Sequence, residues 1–239
     1  MNIKKNIFIF SKKLTEGNAV DVNKLGGKGA NLAEMSRLGI PVPPGITIST
    51  DICNYFLEHK SLPNNFELLL SDYIKKIEIE IGSKFGDYNN PLLLSVRSGG
   101  RQSMPGMMET ILNIGLSQKT IEGLILKTGN SRFVYDSYRR LITMYADVVL
   151  EGSKNLEKEG IRQKLESILK NKKKSYGVLK DSELSTTQLI EICNLYKNKI
   201  NDVLKKQFPD DPNEQLWGAI RSVFLSWNGE RAKKYRKIE

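Results

Sequence analysis

Apolar residues recur at helical spacing through most of the second half of the chain. From Ser131 to Leu150, the positions Val134, Tyr138, Leu141, Ile142, Tyr145, Val148 and Val149 trace one face, which predicts a single helix. Residues 161–172 and 186–205 repeat the pattern, the second through Leu189, Ile192, Cys193, Tyr196, Ile200 and Val203. A further helix carries Leu216, Trp217, Ile220, Phe224 and Trp227, with Asp210 or Asp211 as its cap. Residues 66–82 share the period through Phe66, Leu69, Leu70, Tyr73, Ile74, Ile77 and Ile81.

The first hundred or so residues mix two periods. Residues 6–10 and 45–49 read as short strands. Between them, Gly26-Gly27-Lys28-Gly29 predicts a glycine turn, followed by a helix from Ala30 to Leu38 that Gly39 ends. Pro41, Pro43 and Pro44 make a stiff connection. Thr50 or Asp51 is placed to cap a helix through Leu57. Leu92 to Val96, after the turn Asn89-Asn90-Pro91, predicts a buried strand, and Ser98 to Gly106 a loop. An α/β opening followed by helix after helix predicts an α+β or α/β protein of two subdomains, residues 1–115 and a mostly helical 116–239. The strands are few for an independent sheet, so part of the sheet is expected outside this sequence.

Composition narrows the class. The 239 residues are 39% apolar and 27% charged, which is globular rather than disordered. No apolar run approaches the roughly 18 residues of a membrane span. Ile7 to Phe10 is too short for a secretory signal core. A cytoplasmic chain with no membrane partner is expected. Cys53 and Cys193 then read as reduced, buried thiols, and a single histidine argues against zinc.

The net charge is +10, and half of it falls in residues 151–206. A polyanionic ligand such as ATP or nucleic acid would explain it. So would base composition, because lysine far outnumbers arginine. The run from Lys170 to Lys174 reads as a solvated helix end. Tyr135, Tyr138, Arg139 and Arg140 fit an amphipathic helix, tyrosines inward and one or both arginines outward, better than a nucleic-acid surface. No nucleic-acid partner is expected.

Two segments have the residue types of a phosphate site. In Leu25-Gly26-Gly27-Lys28-Gly29-Ala30-Asn31-Leu32, glycines ahead of a helix let N–H groups approach an anion, and Lys28 adds a point charge. The spacing is not that of a Walker motif. The plain alternative is a turn with an exposed lysine. In Ser95 to Thr110, Arg97 is expected at the end of a buried strand, where its charge needs an anionic partner. Its planar fork suits phosphate oxygens. A carboxylate is the alternative partner. Gly99, Gly100 and Gly106 make the following loop pliable. Met104, Met107 and Met108 either line an adenine ring or fill core gaps. His59 reads as a surface-loop residue between two helices. Asp210-Asp211 reads as a helix start rather than a metal pair.

These residues resemble the pyruvate, phosphate dikinase family. The likeness runs through Leu25–Met35, Pro41–Thr47, Ser95–Thr110, Thr128–Arg140 and Gly218–Arg236, and is weakest in 60–88 and 151–206. The glycine-lysine and proline motifs are shared with phosphoenolpyruvate synthase and glucan water dikinases. Ser103-Met104-Pro105-Gly106-Met107-Met108, with Glu109 and Thr110 after it, is more specific. So is Tyr135-Asp136-Ser137-Tyr138-Arg139-Arg140.

The resemblance implies an incomplete ATP-grasp-type domain. It implies that ATP donates its β,γ-diphosphoryl group to a histidine, that phosphate takes the terminal group as pyrophosphate, and that pyruvate becomes phosphoenolpyruvate. Lys28 and Arg97 match the family residues that contact ATP phosphates, and both are expected to serve catalysis. Gly99, Gly100, Arg101, Ser103, Met104, Gly106, Met107 and Thr110 are expected in the nucleotide site, the loop from Ser103 to Met107 covering the phosphates. ATP and magnesium are implied, with the metal ligands, the phosphohistidine domain and the pyruvate-binding barrel expected beyond Glu239. Phosphate, pyruvate and homo-oligomerisation then belong to the full-length enzyme, and this chain alone is expected to be inactive. The alternatives are a related dikinase, such as phosphoenolpyruvate synthase, and a non-catalytic nucleotide-binding remnant.

Overall fold

The computed structural model describes residues 6–100, 110–152, 159–229 and 233. The described chain is mostly helical with three two-stranded sheets, an α+β composition. It divides into two compact units. The first holds residues 1–84, 97–108 and 224–239, and the second 85–96 and 109–223. This differs from a division after residue 115. Chain neighbours are no guide to the boundary, since the chain leaves the first unit at 84 and returns to it twice.

In the first unit, β1 (Ile7–Phe10) pairs antiparallel with β2 (Gly45–Ile48), Ile7 opposite Ile48 and Phe10 opposite Gly45. Gly45 lets the Phe10 ring lie over β2, because a Cβ on it would fall 2.3 Å from that ring and force it to shift. α1 (Val22–Arg37) buries Leu25, Gly29, Ala30 and Ala33. α2 (Thr50–His59) buries Ile52, Cys53 and Phe56, and Phe56 meets Phe224 at 5.6 Å between ring centroids. Neither Thr50 nor Asp51 caps α2. Ser49 holds the cap position without a side-chain bond, its hydroxyl donating instead to Asn6 Oδ1 at 2.8 Å. His59 is the last residue of α2 rather than a loop residue, its ring stacked on Tyr55 at 4.1 Å.

α3 (Phe66–Ile81) turns Phe66, Leu70, Tyr73, Ile74 and Ile77 inward, as its period predicts. Burial of each such side chain stabilises by about 1.5–3 kcal/mol. Gly82, left-handed at φ 72°, stops the helix.

The second unit opens on strands whose ends, Lys84 and Arg97, belong to the first: β3 (Lys84–Phe85) pairs with β4 (Pro91–Leu92), and β5 (Leu94–Arg97) with β6 (Thr110–Ile114). The buried strand expected over Leu92–Val96 is thus two strand pieces. The second piece alternates between half-buried and exposed residues, as in a sheet with one wet face. α4 (Ile121–Thr128) follows, then α5 (Ser131–Tyr145), whose Asn130 cap accepts from the Phe133 N–H. Val134, Tyr138, Leu141, Ile142 and Tyr145 of α5 form the centre of this unit's core.

The helix predicted to Leu150 changes character at Ala146. Residues 146–151 widen into a π-helical turn closed by Gly152. α6 (Ile161–Tyr176) and α7 (Thr186–Leu204) complete the packing on α5, with Ser185 and Gln188 forming a capping box for α7. Asp211 caps α8 (Pro212–Ser226), accepting from the N–H groups of Asn213 at 2.7 Å and Glu214 at 3.0 Å. Its neighbour Asp210 accepts from Gln118 N–H at 2.8 Å.

Candidate functional site

The two glycine-rich segments meet in the first unit. α1 is two helical pieces joined at Gly26, whose backbone (φ 70°, ψ 165°) is not helical. Gly27, Lys28 and Gly29 therefore lie within helix, not in a turn ahead of it, and the second piece starts at Gly27. A Cβ on Gly26 would lie 1.7 Å from the Gly99 carbonyl oxygen and 2.7 Å from its carbon. Only glycine admits both this φ and this approach. The Gly27 N–H donates to the Gly100 carbonyl at 2.8 Å. A helix start leaves N–H groups without intrahelical partners, and here a backbone carbonyl takes the first of them. That N–H is not free for an anion, contrary to the simplest reading of the motif.

Gly29 has a different neighbour. A Cβ on it would meet Thr47 Cγ2 at 2.6 Å and Oγ1 at 2.9 Å. The helix behind Gly26 is thus seated tightly on β2, and Lys28, between half-buried Gly27 and buried Gly29, is exposed.

Arg97 ends β5 and is also exposed. The expectation that it sits buried at the end of an apolar strand is not met, and among the described residues the strand has only β6 beside it. Among the described residues, neither Lys28 nor Arg97 has a carboxylate partner within ion-pair distance. Ser98 and Gly100 are buried and Gly99 half-buried. Thr110 is half-buried at the start of β6. Arg101, Ser103, Met104, Gly106 and Met107 lie outside the described residues, as do Met108 and Glu109. Chemically, the arrangement offers two exposed cations on segments joined by backbone. That suits a ligand with several anionic oxygens.

A second cluster lies in the other unit, and the sequence pattern missed it. Arg139 is 5% exposed. It donates to Asp136 at 2.7 Å and Asp181 at 3.1 Å. Lys173 meets Asp181 at 2.8 Å and Arg140 meets Asp136 at 3.0 Å. Arg132 donates to the carbonyls of Asp181 at 2.7 Å and Leu184 at 2.9 Å. Burial by itself would raise the Asp181 carboxyl. The Lys173 hydrogen bond and the charges of Arg139, Lys173 and Arg140 outweigh it and hold the group below its ordinary value. Of the two arginines, Arg139 is the inward one and Arg140 is exposed. The lysine run is only partly solvated, since Lys172 pairs with Glu191 and Lys173 with Asp181.

Tyr138 is buried beside Phe208 and its hydroxyl has no hydrogen-bond partner among the described residues. Burial pushes the Cys193 thiol up to about 12, which makes it unreactive near neutral pH. Each of these groups is engaged with its own unit, so the cluster reads as part of the fold.

Among the described residues, no group of three or more His, Cys, Asp and Glu side chains stands together as metal ligands. No described helix is long and apolar enough to cross a membrane.

Comparison with known proteins agrees with the motifs. Residues 22–78 and 64–239 match the family model described as "Pyruvate phosphate dikinase, AMP/ATP-binding domain". The chain is 46% identical over 236 residues to pyruvate, phosphate dikinase of Rhizobium meliloti, covering 98% of this chain and 25% of that protein. It is 45% identical to the chloroplastic enzyme of Mesembryanthemum crystallinum, covering 98% and 24%, and 44% identical to the Clostridium symbiosum enzyme, covering 95% and 25%. The chain spans about a quarter of the length of these curated relatives.

Proposed function

The chain belongs to the pyruvate phosphate dikinase AMP/ATP-binding domain family, and we propose that it is the ATP-binding portion of a pyruvate, phosphate dikinase. In this reading the fold is an ATP-grasp type, and the chain binds ATP through its phosphates. Lys28 and Arg97 supply positive charge to the β- and γ-phosphoryl oxygens. Gly99 and Gly100 bring backbone close to them. Arg101, Ser103, Met104, Gly106, Met107 and Thr110 continue the site. The longer protein would convert ATP, phosphate and pyruvate into AMP, pyrophosphate and phosphoenolpyruvate through a phosphohistidine that this chain does not carry. Fixed cations stabilise a migrating phosphoryl group without covalent chemistry of their own, and that is the part assigned to this chain.

Magnesium would accompany ATP in this reading, and no residue of this chain is assigned to hold it. The buried thiols Cys53 and Cys193 suit a reducing compartment such as the cytoplasm. Homo-oligomerisation is left to the longer protein.

The observation that carries the reading is the Gly27 N–H bond to the Gly100 carbonyl at 2.8 Å. It ties the segment bearing Lys28 to the segment that follows Arg97. Calorimetric titration of this chain with ATP tests it. Saturable binding is expected, weakened about tenfold or more in Lys28→Ala and in Arg97→Ala, as loss of a charge-assisted phosphate contact requires. Unchanged affinity in both variants overturns it. Release of AMP from ATP by this chain alone would overturn the assignment of the transfer chemistry to other parts of the protein.

A further inference from the structure

The contact between the two glycine segments does more than bring them near each other. The Gly27 N–H lies at the start of a helical piece, the place where an anion would ordinarily be received. Here it is closed by the Gly100 carbonyl at 2.8 Å. Gly26 makes this possible, with φ 70° and with the Gly99 carbonyl oxygen 1.7 Å from where its Cβ would stand. The contact is asymmetric. Among the described residues, a Cβ on Gly99 would meet only the Leu25 carbonyl oxygen, at an ordinary 3.6 Å. On the α1 side, Gly29 lies close against Thr47, which seats the same helical piece on β2.

We infer that Gly26 and Gly27 are positioning residues: a backbone clasp that holds segment 97–100 against the helix carrying Lys28, so that Arg97 and Lys28 address one polyphosphate chain together. This rests on the ATP-binding reading above. The clasp touches no substrate. It acts by setting where two exposed cations start, and two long, flexible side chains bind one ligand better when their backbones are fixed. It also predicts which nucleotide feels its loss. A ligand with one phosphate needs one cation, whereas ATP spans both. Breaking the clasp should therefore lower discrimination between ATP and AMP more than it lowers binding of AMP.

Two variants break the clasp by different routes. Gly26→Ala puts a methyl group into the Gly99 carbonyl. Gly27→Pro removes the donor, yet proline is well tolerated at the first position of a helix, and the extended ψ of Gly26 suits a following proline. Gly27→Ala keeps the N–H and should lose less than Gly27→Pro.

The measurements are the ratio of ATP to AMP affinity by calorimetry, and hydrogen exchange of the Gly27 amide, with thermal unfolding followed on the same samples. In the unaltered chain the Gly27 amide should be protected. In Gly27→Pro and Gly26→Ala the ATP:AMP ratio should fall about tenfold, with the folded fraction at the titration temperature unchanged. If either variant fails to fold, the other and the amide protection still decide. An ATP:AMP ratio that stays constant in a folded clasp variant overturns the inference, and so does a rapidly exchanging Gly27 amide in the unaltered chain. If Lys28→Ala and Arg97→Ala also leave ATP binding unchanged, the nucleotide reading itself has failed. If they weaken it while the clasp variants do not, only the clasp has failed.

Discussion

Arg97 and Arg139 are the same residue type put to opposite uses. Arg97 ends an exposed strand and has no carboxylate beside it among the described residues. Arg139 is 5% exposed and held by Asp136 and Asp181 at 2.7 and 3.1 Å. A buried guanidinium must be neutralised inside the fold, because its desolvation is costly. An exposed one keeps its hydration and its charge and can exchange water for a ligand. Both arginines sit in segments that mark the family, yet one segment provides candidate ligand contacts and the other holds helices together. A family motif is therefore not by itself a site. Exposure and partners separate the two cases.

The largest test of this contrast is Arg139→Ala. It takes the buried cation from Asp136 and Asp181, leaving them Arg140 and Lys173 as remaining partners, and breaking such a buried network costs up to about 3–5 kcal/mol. Urea unfolding should show a loss of that size. A loss under about 1 kcal/mol would mean that the pair behaves like a surface bridge and the contrast is false.

Next is acid sensitivity. The Asp181 carboxyl lies below its ordinary 3.8 in the folded chain. Its contribution to stability is present above the unfolded value and is lost as pH falls through the lower folded one. Stability measured against pH should thus decline below about pH 4, and the decline should be shallower in Asp181→Asn. Parallel curves for the two proteins would remove Asp181 from the acid response.

Tyr138→Phe sharpens the comparison from within the same core. The hydroxyl is buried without a hydrogen-bond partner among the described residues. Removing it should be neutral or mildly stabilising, since a buried unsatisfied polar group costs about 1–3 kcal/mol. A clear loss of stability would reveal a partner for it.

The smallest effect on stability is expected at the candidate site. Lys28→Ala and Arg97→Ala should leave the unfolding midpoint within what about 0.5 kcal/mol produces, while ATP binding falls. Coupled losses of binding and stability would place these cations with Arg139 as parts of the fold.

Helix content was the most legible feature. Most of the faces of α3, α5 and α7 could be listed residue by residue, because the 3.6-residue period is a local property, but Ile81 and Val203, near the helix ends, were expected inward and are exposed. Element edges were less legible. The π-helical turn at 146–151 keeps apolar residues in a nearly helical rhythm, so Val148 and Val149 looked like two more positions of α5. Strands β3 and β4, two residues each, are too short to show alternation. The candidate cations Lys28 and Arg97 were legible as residue types beside glycines, but their surroundings were not. Arg97 follows an apolar run and was expected to be buried, whereas burial depends on how many strands lie beside β5.

The sequence by itself determined most of the helical faces, the glycine stop at Gly39, the candidate cations, and membership in a family through motifs spread along the chain. Tertiary structure alone decided what each glycine is for. Gly26, Gly27 and Gly29 fall within four residues and are chemically alike, yet one receives the Gly99 carbonyl, one donates to Gly100 and one rests on Thr47. The physical reason is one of range. Periodicity and capping act over a few residues of chain, whereas a missing Cβ matters only through whatever the fold brings against it from far away in sequence.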